Sequence, residues 1–214
     1  MFYEPKHGKR GHGLPFDPIK AIVAPRPIGW ISSLDAKGRP NLAPYSFFNL
    51  VKGQPPIVVF GSEGLKHSAA NAFETREFVF NLVTRPLFDA MNISSGAHAE
   101  GENEFEAAGL TMAPCNFVKA PRVAESPASF ECKVLQAMEL HDLDGNPTDG
   151  FMVLGQVVGI HIDERYIVDG RFDAVAAQTI ARCGYRDYSQ VTEMFEALRP
   201  TDGGAFTPTT SDRT

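Results

Sequence analysis

Short apolar runs, alternating or unbroken and cut by Gly, Pro and Asp, dominate this chain and predict strands before anything else. Two such runs, Ile28–Leu34 and Pro40–Phe48, flank Asp35-Ala36-Lys37-Gly38, a turn with Gly where a positive φ is needed, and so predict a β-hairpin. Upstream, Lys20–Pro25 reads as a short strand stopped by Pro25-Arg26-Pro27. Downstream, Pro55–Ser62 is a run of β-branched residues ending in a Gly-Ser turn, the pattern of a buried strand. The period then changes. Leu65, Ala69, Ala72, Phe73 and Arg76 fall at steps of three and four, predicting a helix that starts near Lys66–Ser68.

Phe78–Val83 returns to strand, and Pro86–Ser95 predicts a short helix with Pro at its first position. Residues 96–127 are rich in Gly, Glu and Pro and read as a surface excursion with one helical turn over Asn103–Ala108. Two long strands, Ser129–Leu140 and Phe151–Ile167, follow, joined by HDLDGNPTDG. Residues 1–17 read as an irregular arm, 18–200 as one domain, and 201–214 as a disordered tail of Thr, Gly, Pro and Ser. Six or more antiparallel strands with a few short helices predict a mainly β fold, a closed barrel with helical decoration.

Composition narrows the function classes. With 214 residues, 43% hydrophobic and 21% charged, a single domain with a proper core is expected. A net charge of −6 argues against general nucleic-acid or anionic-membrane binding. Cys115, Cys132 and Cys183 are odd in number and lack metal-site spacing, which predicts reduced apolar fillers in a cytoplasmic protein. The N-terminal MFYEPKHGKRGHG lacks the apolar core of a leader, and no apolar run approaches a membrane span, so a soluble protein is expected.

Several catalytic patterns fail. Residues 8–13 carry glycines without a preceding strand or following helix, so they form no dinucleotide loop. Asp142-Leu143-Asp144-Gly145-Asn146 starts like a calcium loop, but Gly stands fourth and Val153 occupies the twelfth place. His161 alternates with Ile160 and Ile162 and reads better as a structural histidine than a catalytic one. No nucleophile has an evident base beside it, and no metal ligand set emerges.

Three segments remain. Gly61–Asn71 delivers Lys66, with Ser62, Ser68 and Asn71, to a helix start, where unpaired amides and a lysine suit a phosphate. Taken alone, it reads more readily as a capped helix with a solvated lysine. Arg26–Ser33 carries the single tryptophan, Trp30, after a Pro-Ile-Gly bend. Asn41–Asn49, NLAPYSFFN, interrupts a strand-like run with Pro44, Ser46 and Asn49, which reads either as a ragged edge strand or as a strand that leaves its partner to face a ligand. Ile28, Trp30, Tyr45 and Phe47 offer an apolar wall, and Pro44-Tyr45-Ser46 with Asn49 a polar rim. Wall, rim and phosphate pocket together suit FMN.

RPIGWISSLDAKGRPNLAPYSFFN, PPIVVFGS, Lys66-His67-Ser68 with Asn71, and FVFNLV resemble the flavin reductase-like family, and GQVVGIHIDERYI and ARCGYRDY extend the resemblance over residues 18–200. It implies an antiparallel FMN-binding split β-barrel of Greek-key type, a homodimer with FMN near the subunit interface. The implied FMN contacts are Ile28, Trp30, Pro44, Tyr45, Ser46, Phe47, Asn49, Ser62, Lys66, Ser68 and Asn71. His67 stands where members often have an acid.

The implied reaction is hydride transfer from NAD(P)H to FMN N5, with no side-chain catalyst and modest nicotinamide affinity, because no Rossmann unit grips the adenine half. A monooxygenase component is the partner that would receive the electrons. The alternative is a non-enzymatic FMN electron carrier of flavoredoxin type. Roles for Arg26, Arg182, Arg186, Tyr185 and Tyr188 stay open at this level.

Overall fold

The computed structural model describes residues 1–7, 9–98 and 101–197. Its centre is an antiparallel sheet of seven strands: β1 (Gly29–Leu34), β2 (Pro40–Tyr45), β3 (Phe48–Gly53), β4 (Pro56–Glu63), β5 (Glu77–Leu82), β6 (Ala128–His141) and β7 (Pro147–Ile162). The expected hairpin is β1 and β2, in register from Gly29 opposite Tyr45 to Leu34 opposite Pro40. Its turn holds because Gly38 takes a φ of 80° and Asp35 Oδ1 accepts from the amides of Lys37 and Arg39 at 2.9 and 2.8 Å.

The spatial order is β2-β1-β5-β6-β7-β4-β3. Thus β2 and β3 stand at opposite ends of the sheet although only Ser46 and Phe47 separate them in sequence. Three Cα steps span at most about 11 Å, so the sheet must curl until its ends meet. The result is a barrel split between β2 and β3. Pro44 remains in register with Trp30 on the edge strand β2. Of the two readings of this stretch, the edge strand holds and the departure from the partner at Pro44 does not: an edge strand has an unpaired side on which a missing N–H costs no ladder bond.

The barrel interior holds Ile31, Phe48, Phe60, Phe78, Phe80 and Val153, capped by Ala69 and Ala72 of α1 (His67–Thr75). Phe48 stacks on Phe80 at 4.6 Å between centroids. Gly29 is required here: a Cβ on it would lie 2.5 Å from the Phe48 ring. Side chains of opposite parity, Trp30 and Leu42, point outward against Met91 of α2 (Phe88–Ser94) and Phe105 of α3 (Glu104–Ala107). Burying each such large side chain contributes about 1.5–3 kcal/mol.

Four expectations need correction. Lys20–Pro25 is not a strand: Ile19–Ile22 forms a single helical turn, opened by Pro18 and tied down by the Arg26 guanidinium, which donates to the carbonyls of Lys20, Val23 and Cys183. The arm is not wholly irregular, since Pro5–His7 and Lys9–His12 form short helical turns. The strand β3 was hidden because its residues from Asn49 to Gly53 are exposed and show no alternation. Finally, the excursion over 96–127 buries Phe105, Val118, Ala120 and Val123 instead of lying loose. The proposed tail, 201–214, lies outside the described residues. Among the described residues no helix is long and apolar enough to cross a membrane.

Side chains of the barrel stitch that excursion down. Glu77 Oε1 accepts from Lys119 N at 2.6 Å, Asn81 Oδ1 from Val123 N at 2.8 Å, and Ser32 Oγ donates to the Pro121 carbonyl at 2.6 Å. The fully buried Glu131 accepts from the amides of Asn116, Phe117 and Val118 and from His161 Nε2 at 2.7 Å. Burial alone would raise its pKa, but these hydrogen bonds outweigh it and hold the carboxyl below its ordinary 4.5.

The stability contributed by Glu131 is therefore complete above the ordinary carboxylate range and lost as pH falls through the lower folded value. Glu131→Gln should cost roughly 2–3 kcal/mol at neutral pH in urea unfolding. Its deficit relative to wild type should shrink as the pH drops below 4.5. A deficit that grows on acidification would contradict the assignment.

Candidate functional site

A cleft of about 540 Å³ opens at the split, where Pro44–Phe47 leave β2, Gly61 and Glu63 close β4, and α1 begins. The opposite wall is the run Ser94–His98 at the end of α2, and Glu104 reaches in from α3.

The helix start is open to an anion. Lys66 is the N-cap of α1 but offers no side-chain acceptor, so the first-turn amides of His67, Ser68 and Ala69 receive none from their own cap. Lys66 itself has no ion-pair partner among the described residues, whereas Lys20 at the mouth pairs with Glu63 at 3.2 Å and lies over the Phe47 ring. His98, on the facing wall, has its pKa raised chiefly by its bond to the Ile93 carbonyl and further by the charges of Glu104 and Glu102. The positive side of the cleft is thus concentrated at Lys66 and the amides behind it.

Behind the cleft runs a buried polar chain. Glu104, 5% exposed, accepts the Leu42 amide at 3.1 Å. Oriented to satisfy both neighbours, the Asn41 amide donates to Glu104 Oε1 at 3.2 Å and accepts from Ser68 Oγ at 2.7 Å. Burial pushes the Tyr45 phenol pKa up, against hydrogen bonds to Ser68 and Ser62 and with the Glu104 charge adding to the rise. Tyr45 therefore stays neutral and retains its proton at physiological pH.

Of the residues singled out from sequence, Pro44, Tyr45, Ser46, Phe47, Lys66 and Ser68 come together around this cleft. The other five do not line it. Trp30 is fully buried on the outer face of the barrel, with Nε1 donating to Ser94 Oγ at 2.9 Å, and Ile28 packs beside it. They are core, covered by Met91 of α2 and Phe105 of α3, so the expected indole wall is absent. Ser62 Oγ donates to the Gly64 carbonyl at 2.6 Å, and Asn71 donates to Ser33 Oγ and faces a neighbouring cleft of about 320 Å³. Asn49 lies exposed on β3, its Oδ1 bonded to the Leu50 amide.

Sequence reasoning missed Lys20, Asn41, Glu63, Ser94–His98 and Glu104. Nothing local marks Glu104 for burial; it looks like any acid in the first turn of a capped helix. Arg26 and Arg182 are not free for nucleotide phosphates. Arg26 is buried among carbonyls, and Arg182 donates to the Tyr185 carbonyl and covers the Tyr188 ring at 4.4 Å.

Residues 23–175 match the family model of the flavin reductase like domain. An uncharacterized protein of Halalkalibacterium halodurans is 33% identical over 184 residues, 84% of this chain and 88% of the relative. Among solved structures, nitrilotriacetate monooxygenase component B from Bacillus cereus superposes with a TM-score of 0.83 at 26% identity, covering 92% of this chain and 98% of that one. The 2-nitrobenzoate 2-nitroreductase NbaA of Pseudomonas fluorescens gives a TM-score of 0.76 at 28% identity, covering 90% and 92%.

Glu104→Ala removes the buried acceptor of the Asn41 side-chain NH2 and leaves the Leu42 amide only its 3.2 Å contact with Asn41 Oδ1. It should destabilise the chain by about 2–4 kcal/mol in urea unfolding and speed amide exchange at Leu42. A stability change within about 0.5 kcal/mol of wild type, the size of an ordinary surface substitution, would contradict the buried network.

Proposed function

The chain belongs to the flavin reductase like domain family, a flavin-related group of oxidoreductases, and on that premise we propose that its cleft holds FMN and that NAD(P)H is the electron donor. One juxtaposition supports this reading above all: a helix start without a side-chain cap, with Lys66, lines the same cleft as the Pro44–Phe47 backbone at the split. The volume, about 540 Å³, lies within the range of cofactor sites.

In this reading Lys66 and the amides of His67, Ser68 and Ala69 hold the phosphate. The hydroxyl protons of Ser62 and Ser68 are engaged within the protein, so charge recognition rests on the lysine and the backbone. The Tyr45–Phe47 backbone lines the polar rim, and Phe47, 41% exposed, supplies the apolar wall first sought in Trp30. Tyr45 keeps its proton as a neutral hydrogen-bonding group. Bound there, FMN would supply the hydride transfer itself.

A homodimer belongs to the same proposal. Phe47, Leu50 and Val51 are exposed on or beside the edge strand β3, next to the cleft. A second copy covering this edge would bury them and enclose the ligand. The similarity to a monooxygenase component supports delivery of electrons to a separate oxygenase.

Purified protein should be yellow or take up FMN stoichiometrically, and anaerobic NADH or NADPH should bleach it within the time of mixing. Flavin that stays oxidised with both nucleotides would replace the reductase reading with that of an FMN electron carrier. Lys66→Ala should weaken FMN at least about tenfold, the worth of one charge-assisted contact, without unfolding the barrel. Unchanged affinity would remove the phosphate assignment.

A further inference from the structure

Far from the cleft, where β7 ends, lies a second polar groove of about 450 Å³. His161 stands nine positions beyond Met152, the residue paired with Gly61 of the cleft, which is on the order of 30 Å along a strand. Arg122, Ser126, His161 and Asp163 line it, with Pro127 and Ile160 at its sides.

The charges in this groove do not balance. Arg122 is half-buried, its Nε is buried without a hydrogen-bond partner, and its guanidinium has no ion pair among the described residues. The two acids nearby are occupied. Asp163 is held bidentately by Arg165, at 3.0 Å from Nε to Oδ1 and 2.5 Å from Nη2 to Oδ2. Glu131, behind His161, has both oxygens filled by three amides and the imidazole. That saturation also explains why Cys115, Glu131 and His161, with ligand atoms within 4.8 Å of one another, are not built as a metal site. The Cys115 thiol, pushed up to about 12 by burial first of all, adds no thiolate.

We propose that this groove binds a phosphate-type oxyanion between Arg122 and His161. A half-buried guanidinium with no ion pair among the described residues is a costly arrangement that an oxyanion on its terminal nitrogens relieves. The second contact suits phosphate. His161 Nε2 is bonded to the Glu131 carboxylate, and Nδ1 is unengaged by any described residue. A monoprotonated phosphate carries acceptor oxygens for Arg122 and can meet Nδ1 as donor or as acceptor, whereas a carboxylate at neutral pH can only accept. The site does not depend on the flavin reading.

Inorganic phosphate titrated into the full chain should give saturable amide shifts at Ala124, Ser126 and His161 in heteronuclear NMR. Arg122→Gln should weaken this binding at least about tenfold, and Arg122→Lys should fall between it and wild type. Lys66→Ala should leave it intact, separating it from any phosphate held at the start of α1. No saturable shift at those amides, or equal affinity in Arg122→Gln, overturns the proposal. Should that variant fail to fold, phenylglyoxal labelling of Arg122 in the wild-type chain decides: phosphate should slow it, and an unchanged rate overturns the assignment.

Discussion

The two residues Ser46 and Phe47 join strands that stand at opposite ends of a seven-stranded sheet, and this short link governs the rest of the structure. No flat sheet can satisfy it. The sheet must close, and because β2 and β3 meet there without pairing, closure leaves a split whose backbone can face a ligand. Pro44, the glycine at 29 and the exposed β3 edge each suit a part of that geometry. An edge proline costs no ladder bond, Gly29 admits the Phe48 ring, and β3 is left with an outer face for another surface.

A second theme is the use of buried polar side chains as substitutes for missing strand partners. Residues between α2 and β6 have little regular structure of their own, yet they cover the outer wall of the barrel. Their amides find acceptors in Glu77, Asn81 and Glu131, and Glu104 returns the favour by accepting the Leu42 amide of β2. Each is a charged or amide oxygen taking backbone N–H groups that would otherwise be buried unsatisfied. The same device shapes the cleft, since the chain from Glu104 through Asn41 to Ser68 fixes which hydroxyls remain able to donate. Among the described residues, Lys66 in the cleft and Arg122 in the distal groove have no ion-pair partner and line openings that an anion could enter.

What the sequence determined by itself was local and periodic. Short apolar runs, alternating or unbroken, marked six of the seven strands, and the step of three and four placed α1 with Lys66 at its start. The broken strand at Pro44–Phe47 and the lysine before a helix were legible as site candidates because turns, prolines and helix starts write themselves in neighbouring residues. Tertiary structure decided the remainder. Whether Trp30 faces a ligand or the core depends on which side of β1 the helices cover, and a period of two cannot say which face that is. Glu104 and Asn41 meet only because α3 packs on β2, across 62 residues between Glu104 and Leu42. Ile19–Ile22 forms a helical turn held by buried Arg26, which donates to the carbonyls of Lys20 and Val23 and is itself fixed by the distant Cys183 carbonyl, a constraint that outweighs weak local preference.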